Sequence, residues 1–434
     1  MTSSASGLPV AVIGAGPVGL AAAAHLARRG LTALLFERGP SVGHALRGWS
    51  HVRVFTPWRY IIDAAATALL ADTGWRAPDA EALPTGGEIA SRYLEPLAAH
   101  PAIAPHLRLE AEVLSITREG LDKASSAGRE RAPFLIRWRD AEGHTRTDRA
   151  HAVIDASGTW FQPNPMGTDG LPVEGEAELS GRIAYGIPDV TGGDRAGYAG
   201  ARVLVVGAGH SAINAVLDLM RLREEEAETR IVWALRHDRV GKLLGGGLND
   251  QLPERGALGL AAKRAIEEGR LPVLAPFAAR RLAPADGAIH VEGRLAGRPH
   301  ALEADRIIVA TGFRPDLGML RELRLALDPA LEAPPALAPL IDPNLHSCGT
   351  VPPHGAAELS HPEPGFYIAG SKSYGRAPTF LMATGYEQVR SIAAEISGDR
   401  AAAREVRLVL PETGVCGAPP APRPVTAGCC AGSA

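Results

Sequence analysis

The chain opens on blocks of apolar and small residues whose period changes twice. Val10-Ala-Val-Ile13 is a short unbroken apolar run, the pattern of a strand buried on both faces of a parallel sheet, and it runs straight into glycine. After Gly14-Ala-Gly16-Pro-Val-Gly19, the Ala- and Leu-rich stretch from Leu20 to Arg29, closed by Gly30, predicts a helix, and Leu31 to Phe36 reads as a second strand. Together they make a βαβ unit. A second copy lies further on: strand Val203 to Val206, glycine turn Gly207-Ala-Gly209-His-Ser-Ala212, helix Ile213 to Arg223 and strand Ile231 to Leu235. Two such units in one chain predict two nucleotide sites.

Two further segments echo each other. Ala152-Val-Ile-Asp-Ala-Ser-Gly158 and Ile307-Ile-Val-Ala-Thr-Gly312 are apolar strands ending in small-residue glycine turns, and they bracket an insertion. Leu107 to Thr117 and Phe134 to Arg139 read as antiparallel strands, with the polar stretch Arg118 to Arg131 as a surface turn between them. The last helix is expected from Thr379 to Ile396. Val406 to Leu410 is one more strand-like piece before a Pro- and Gly-rich end, expected to be disordered.

Composition narrows the class. With 434 residues there is room for two or three domains, and 46% hydrophobic residues mark a globular chain. Lys+Arg 45 against Asp+Glu 48 leaves a net charge of −3, too little field to hold nucleic acid or an anionic membrane. The apolar run from Val10 to Ala27 is interrupted by glycines at 14, 16 and 19 and is not read as a membrane span. The N-terminus has no basic region of the signal-peptide kind. Four cysteines, Cys348, Cys416, Cys429 and Cys430, make no disulfide framework, which points to a reducing, cytoplasmic setting.

Each glycine of the first turn has a physical task. Gly14 permits a tight turn, Gly16 leaves room for a pyrophosphate, and Gly19 lets helix and strand pack closely, so that an anion sits on the helix N-terminus. Glu37 stands at the end of the next strand, where an acid accepts hydrogen bonds from ribose hydroxyls, with Arg38 beside it. The second turn has Ala212 in place of the third glycine, and its partner strand ends in Arg236, with His237 and Arg239 close by. A guanidinium there binds a 2′-phosphate, which a carboxylate would repel, so the second site reads as NADP rather than NAD.

On these motifs the sequence resembles the two-dinucleotide-binding-domain flavoproteins, the superfamily of flavin-containing monooxygenases and the thioredoxin and glutathione reductases, from Pro9 to about Gly398. The resemblance implies an α/β fold of two Rossmann-like dinucleotide-binding domains. The FAD-binding domain would comprise 1–165 and 303–398, the NADPH-binding domain would be inserted as 166–302, and 399–434 would form a tail. It assigns FAD to Gly14, Gly16, Gly19 and Glu37, and NADPH to Gly207, Gly209, Ser211 and Arg236. Gly158 and Gly312 fall in the crossover motifs, Val113 where backbone contacts the adenine, and Gly370 in the late flavin-binding strand, although Ser371 replaces the usual Asp there. The helix expected from Thr379 would aim its N-terminus at the flavin ring.

The same resemblance bears on where the electrons go after hydride transfer. No cysteine lies soon after the first βαβ unit or inside the second domain, so a flavin-adjacent disulfide is absent. The remaining main route is O₂, with a small soft nucleophile oxygenated and water kept out. The aromatic and basic segment from His51 to Tyr60 resembles the flavin-facing segment of monooxygenases and makes Trp49, Trp58, Arg59 and Tyr60 candidates for the flavin wall. The FxGxxxH fingerprint of that group is replaced by Leu179-Ser-Gly-Arg-Ile-Ala-Tyr185. Two alternatives stay open. Cys416, Cys429 and Cys430 could serve soft-metal or metalloid redox chemistry, as in mercuric reductase, or the chain could be a flavin-binding redox sensor or regulator of transport. The expected partners are a small-molecule substrate and O₂, with a homodimer compatible.

Overall fold

A computed structural model describes residues 7–238, 253–345, 351–378 and 380–408. Cys348, Cys416, Cys429, Cys430, Arg239 and Thr379 lie outside the described residues, as does the tail from 409 on.

The first βαβ unit forms as the apolar pattern requires. Strand β1 (Val10–Ile13), helix α1 (Pro17–Ala27) and strand β2 (Ala33–Phe36) succeed one another, and both strands are buried throughout. The helix starts three residues before the sequence suggests, because Pro17 occupies its first turn, where a missing N–H costs nothing. Strand β3 (Leu107–Arg108) pairs parallel to β2. Next comes an antiparallel meander, β4 (Glu112–Arg118), β5 (Phe134–Arg139) and β6 (Thr145–Ala150), and then β7 (Ala152–Asp155) returns to lie parallel to β1.

The second unit repeats this plan. Its strands are β8 (Ile183–Tyr185), β9 (Arg202–Val206), β10 (Arg230–Ala234) and β11 (Val273–Leu274). They lead into the meander β12 (Phe277–Ala285), β13 (Ala288–Leu295) and β14 (Arg298–Ala304), and then into β15 (Arg306–Val309). Helix α2 (His210–Glu225) crosses from β9 to β10, and α3 (Pro253–Glu267) precedes β11. Strand β16 (Phe366–Ile368) then completes the first sheet, and α4 (Met382–Ile396) packs against α1. The two parallel sheets run β16-β7-β1-β2-β3 and β8-β15-β9-β10-β11, so each half has the strand before its glycine turn in the centre, and its meander precedes the strand that pairs beside that central one, β7 in the first and β15 in the second. The second unit is thus inserted between β7 and β16 of the first.

The boundary expected at 303 moves. Strand β15 is hydrogen-bonded to β9 and β8, so the chain leaves the second unit only after Val309. The outgoing and returning segments cross side by side: Asn164 N donates to Gly312 O at 2.9 Å, and Arg314 N donates to Gln162 O at 2.9 Å. Among the described residues no helix is long and apolar enough to cross a membrane.

Candidate functional site

The first glycine turn is built as a cradle. Gly14 has φ +93°, open to glycine at little cost, and a Cβ there would meet Ala156 O at 2.8 Å. A Cβ on Gly19 would stand 1.9 Å from Gly14 O, so helix and turn touch backbone to backbone. Gly16 differs: nothing lies within 4 Å of where its Cβ would be. It caps α1 without a side-chain hydrogen bond, which leaves the first N–H groups of an eleven-residue helix to an outside acceptor. Open space in front of an uncapped helix start suits the diphosphate of a dinucleotide.

Glu37 completes this side. It is 6% exposed, and its carboxylate accepts hydrogen bonds from Ala15 N and Gly39 N, both at 2.9 Å. Each oxygen keeps a lone pair for a further donor such as a ribose hydroxyl. Arg38 leaves the same strand end, and its guanidinium lies 4.4 Å from the centre of the Phe161 ring. Val113 sits beside a bulge in β4, paired with Trp138. Gly158 and Gly370, with φ +70° and +72°, turn the chain where β7 and β16 end.

The second cradle has the same construction. Gly207 has φ +136° and would carry a Cβ 2.3 Å from Ala310 O, whereas Gly209 faces open space and caps the sixteen-residue α2 without a side chain. Ser211 lies in the first turn of that helix. The fully buried Trp233 donates its indole N–H to Gly207 O at 2.8 Å, a support for the turn that sequence reasoning does not supply. Its signal is a large aromatic among the aliphatic residues that follow Arg230 in β10. Arg236 is exposed just beyond β10, its Nε 3.1 Å from His237 Nε2. Gly312, φ +90°, opens the return crossing.

The helix of the second cradle starts against the first unit. His210, first residue of α2, lies edge-on to Phe55 of the first unit at 5.6 Å between ring centres. Burial pushes the Asp218 carboxyl above its ordinary value, against the pull of Arg221 and of His51 from the first unit. Trp160 and Phe313, one on each crossing segment, pack at 4.9 Å, and Trp160 also covers Gly48 and Gly186. Trp49 lies half-buried over Gly86. Tyr185, in place of the fingerprint histidine, donates its hydroxyl to the buried Glu176 at 2.7 Å.

Three expected wall residues lie elsewhere. Trp58 is 1% exposed in the core of the first unit, so its ring has no face to offer a cofactor. Arg59 pairs with Glu81 and lies over the Tyr60 ring. Arg59 and Tyr60 border a groove of about 550 Å³ with His25 and Arg29, beside the last turn of α1 and roughly 15 Å along the helix from the cradle. An aromatic residue beside arginines fits a core edge as well as a cofactor wall, and the core took Trp58.

Comparison with known proteins fits this geometry. Residues 12–76 match the family of NAD(P)-binding Rossmann-like domains. The ferredoxin–NADP reductase of Thermus thermophilus is 27% identical over 350 residues, 79% of this chain and 84% of that protein. The indole-3-pyruvate monooxygenase YUCCA6 of Arabidopsis thaliana is 27% identical over 212 residues, 48% of this chain and 44% of its own length. Among solved structures, the bacillithiol disulfide reductase Bdr of Bacillus cereus covers 90% of this chain and 99% of its own, with a TM-score of 0.65 at 18% identity.

Proposed function

We propose that this chain, which has the fold of the two-dinucleotide-binding-domain flavoproteins, is an FAD-dependent NADPH oxidoreductase of the monooxygenase type, acting with O₂ on a small nucleophilic substrate. The observation that carries the reading is the pair of uncapped glycine cradles, one on each parallel sheet, with the helix of the second touching the first unit through His210 and Phe55.

The first cradle would hold FAD. Gly14 and Gly19 fix the turn, Gly16 leaves the diphosphate its place, and Glu37 accepts from the ribose, with Arg38, Val113, Gly158 and Gly370 around it. The second would hold NADPH through Gly207, Gly209 and Ser211, with Arg236 for the 2′-phosphate. When bound, the two cofactors supply hydride chemistry, and the protein supplies orientation and electrostatics. Trp160, Phe313 and Phe55, each partly buried, give the contact between the units aromatic surface from which a bound substrate would displace water.

A second reading, a reductase that hands electrons to a carrier protein, is favoured by the ferredoxin–NADP reductase relative, which spans 79% of the chain. One experiment separates the readings. The purified protein is examined for visible flavin bands, and NADPH oxidation, O₂ uptake and peroxide release are followed as amines, sulfides, arsenite and ferredoxin are added in turn. The monooxygenase reading expects a nucleophile that raises O₂ uptake while lowering peroxide release. Acceleration by ferredoxin alone would replace it with the reductase, and a flavin that NADPH never reduces would leave a sensor. Arsenite turnover lost in a Cys416, Cys429 and Cys430→Ser triple variant would move the chemistry to the tail.

A further inference from the structure

Two buried charges behind the first cradle have no part in the roles above. Asp155 ends β7 at 0% exposure, and Lys372, in the turn after β16, is 1% exposed. The strands β7 and β16 are hydrogen-bonded neighbours, with Ile368 opposite Asp155, so both side chains leave adjacent strand ends on the side where the glycine turn lies. Lys372 Nζ donates to Asp155 Oδ2 at 2.6 Å and to Ser157 Oγ at 3.1 Å. Asp155 Oδ1 accepts from Ser157 Oγ at 2.6 Å and from Ser157 N at 3.1 Å. His361, which also feels Asp155 electrostatically, is pushed down to about 4 by burial and is neutral at pH 7. Lys372 is therefore the cation that balances Asp155 among the described residues.

Stability alone does not call for such a pair, because apolar residues of similar volume fill a buried site as well or better. Its place in the site does. The turn that Asp155 and Ser157 shape backs directly onto Gly14, whose Cβ would lie 2.9 Å from Ser157 Cα. On its other side, Gly158 faces Ser371 Oγ at 3.5 Å from its own Cβ position. The turn bearing Lys372 is fixed in turn by Gln388, whose Oε1 accepts from Gly370 N at 2.8 Å. Any movement of the ammonium thus reaches both walls of the cradle. Position 371, where the resemblance leads one to expect an acid, carries a neutral serine, so with Asp155 compensated this wall presents no free carboxylate to an anionic ligand.

We propose that Lys372 is a positioning residue of the dinucleotide site: it neutralises Asp155 and pins the turns 155–158 and 370–374 beside the first cradle, so that the wall these turns form presents no uncompensated carboxylate to a diphosphate. The inference rests on the reading of that cradle as the FAD site. Its test is FAD affinity, measured by quenching of flavin fluorescence on apoprotein, with circular dichroism as the check on folding. Lys372→Gln keeps a hydrogen-bond donor near Asp155 without the charge and is expected to weaken FAD binding roughly tenfold or more. Lys372→Gln combined with Asp155→Asn, which removes both charges, is expected to return to within about threefold of the native affinity, a rescue that a purely structural lysine would not show. A folded Lys372→Gln protein with native affinity overturns the proposal, and so does a folded double variant no better than the single. Should Lys372→Gln not fold, the double variant decides: native-like affinity supports charge compensation, and a roughly tenfold loss refutes it. Native apoprotein that takes up no FAD would instead sink the reading of the cradle, whatever Lys372 does.

Discussion

Gly16 and Gly19 are three residues apart in one turn, yet alanine at each should fail for opposite reasons. At Gly19 the added methyl would stand 1.9 Å from the Gly14 carbonyl oxygen, where ordinary contact begins near 3.4 Å, so the helix must retreat from the turn by about 1.5 Å. Overpacking of this severity costs about 3 kcal/mol, which lowers the melting temperature of the apoprotein by roughly 6–12 °C. At Gly16 the methyl meets no protein atom, and φ −81° with ψ −172° is open to any residue. The cost there is the difference between glycine and alanine as helix caps, under about 1 kcal/mol. The methyl nevertheless occupies the space assigned to the diphosphate, so affinity for FAD should fall by about 100-fold or more. The assay is a melt of each apoprotein beside a titration with FAD. A Gly16→Ala protein that melts and binds FAD like the native chain would refute the placement of the cofactor, and a Gly19→Ala protein of native stability would refute the packing.

Other consequences can be measured independently. Arg236→Ala should lower the preference for NADPH over NADH by roughly tenfold or more, with NADH turnover unchanged, since only the 2′-phosphate loses a partner; equal loss with both nucleotides would remove Arg236 from that role. Trp233→Phe withdraws the indole donor from Gly207 O and should cost about 1–3 kcal/mol of stability while raising KM for NADPH, with flavin content untouched. Glu363 is buried between Arg118 and Arg129; burial pushes its carboxyl up, but hydrogen bonds from both guanidinium groups win and hold it below the ordinary 4.5. A carboxyl with a lowered folded value stabilises fully above its unfolded value, and that contribution is lost as pH falls below about 4.5 and through the folded value. Glu363→Gln should therefore cost about 3–5 kcal/mol at pH 7, and the gap to the native chain should narrow in acid; a gap independent of pH would show the charge to be idle.

How much of the molecule is legible in the sequence depends on how locally each feature is encoded. Strands β1 and β9 are legible because a strand buried on both faces reads as an unbroken apolar run, and the cradles because three glycine tasks fall within six residues. Strand β6, Thr-Arg-Thr-Asp-Arg-Ala, escapes a pattern reading, since its exposed face leaves hardly an apolar residue to count. The polar stretch from 118 to 131 reads as surface, yet Arg118 and Arg129 are buried there. Their partner Glu363 lies more than 230 residues away, beyond the reach of any local pattern. The boundary expected at 303 has a signal against it in the chain: in the first half a three-strand meander precedes the crossing strand, and the hairpin-like run from 277 to 304 precedes β15 in the same order. Lys372 belongs to the hidden class. A lysine after a strand reads as solvated, and only the adjacency of β7 and β16 brings Asp155 to it.

The similarity to a ferredoxin–NADP reductase, a monooxygenase and a disulfide reductase shows that this architecture does not itself choose the electron acceptor. The choice lies in what the chain places where the cradles meet. Here the segment after the first βαβ unit and the whole second unit contain no cysteine, and the rings brought to the junction are those of Trp160, Phe313, Phe55 and His210. These rings are partly buried, and neither of those segments carries a thiol to set beside them, which favours an acceptor that diffuses in. A small apolar acceptor such as O₂ can reach a flavin held away from the surface, whereas a carrier protein needs the flavin edge within reach of it. Depth of burial of the bound flavin, read from the access of a polar quencher to its fluorescence, therefore discriminates the two acceptors: strong shielding is expected of the oxygenase, and free quenching would hand the electrons to a protein partner.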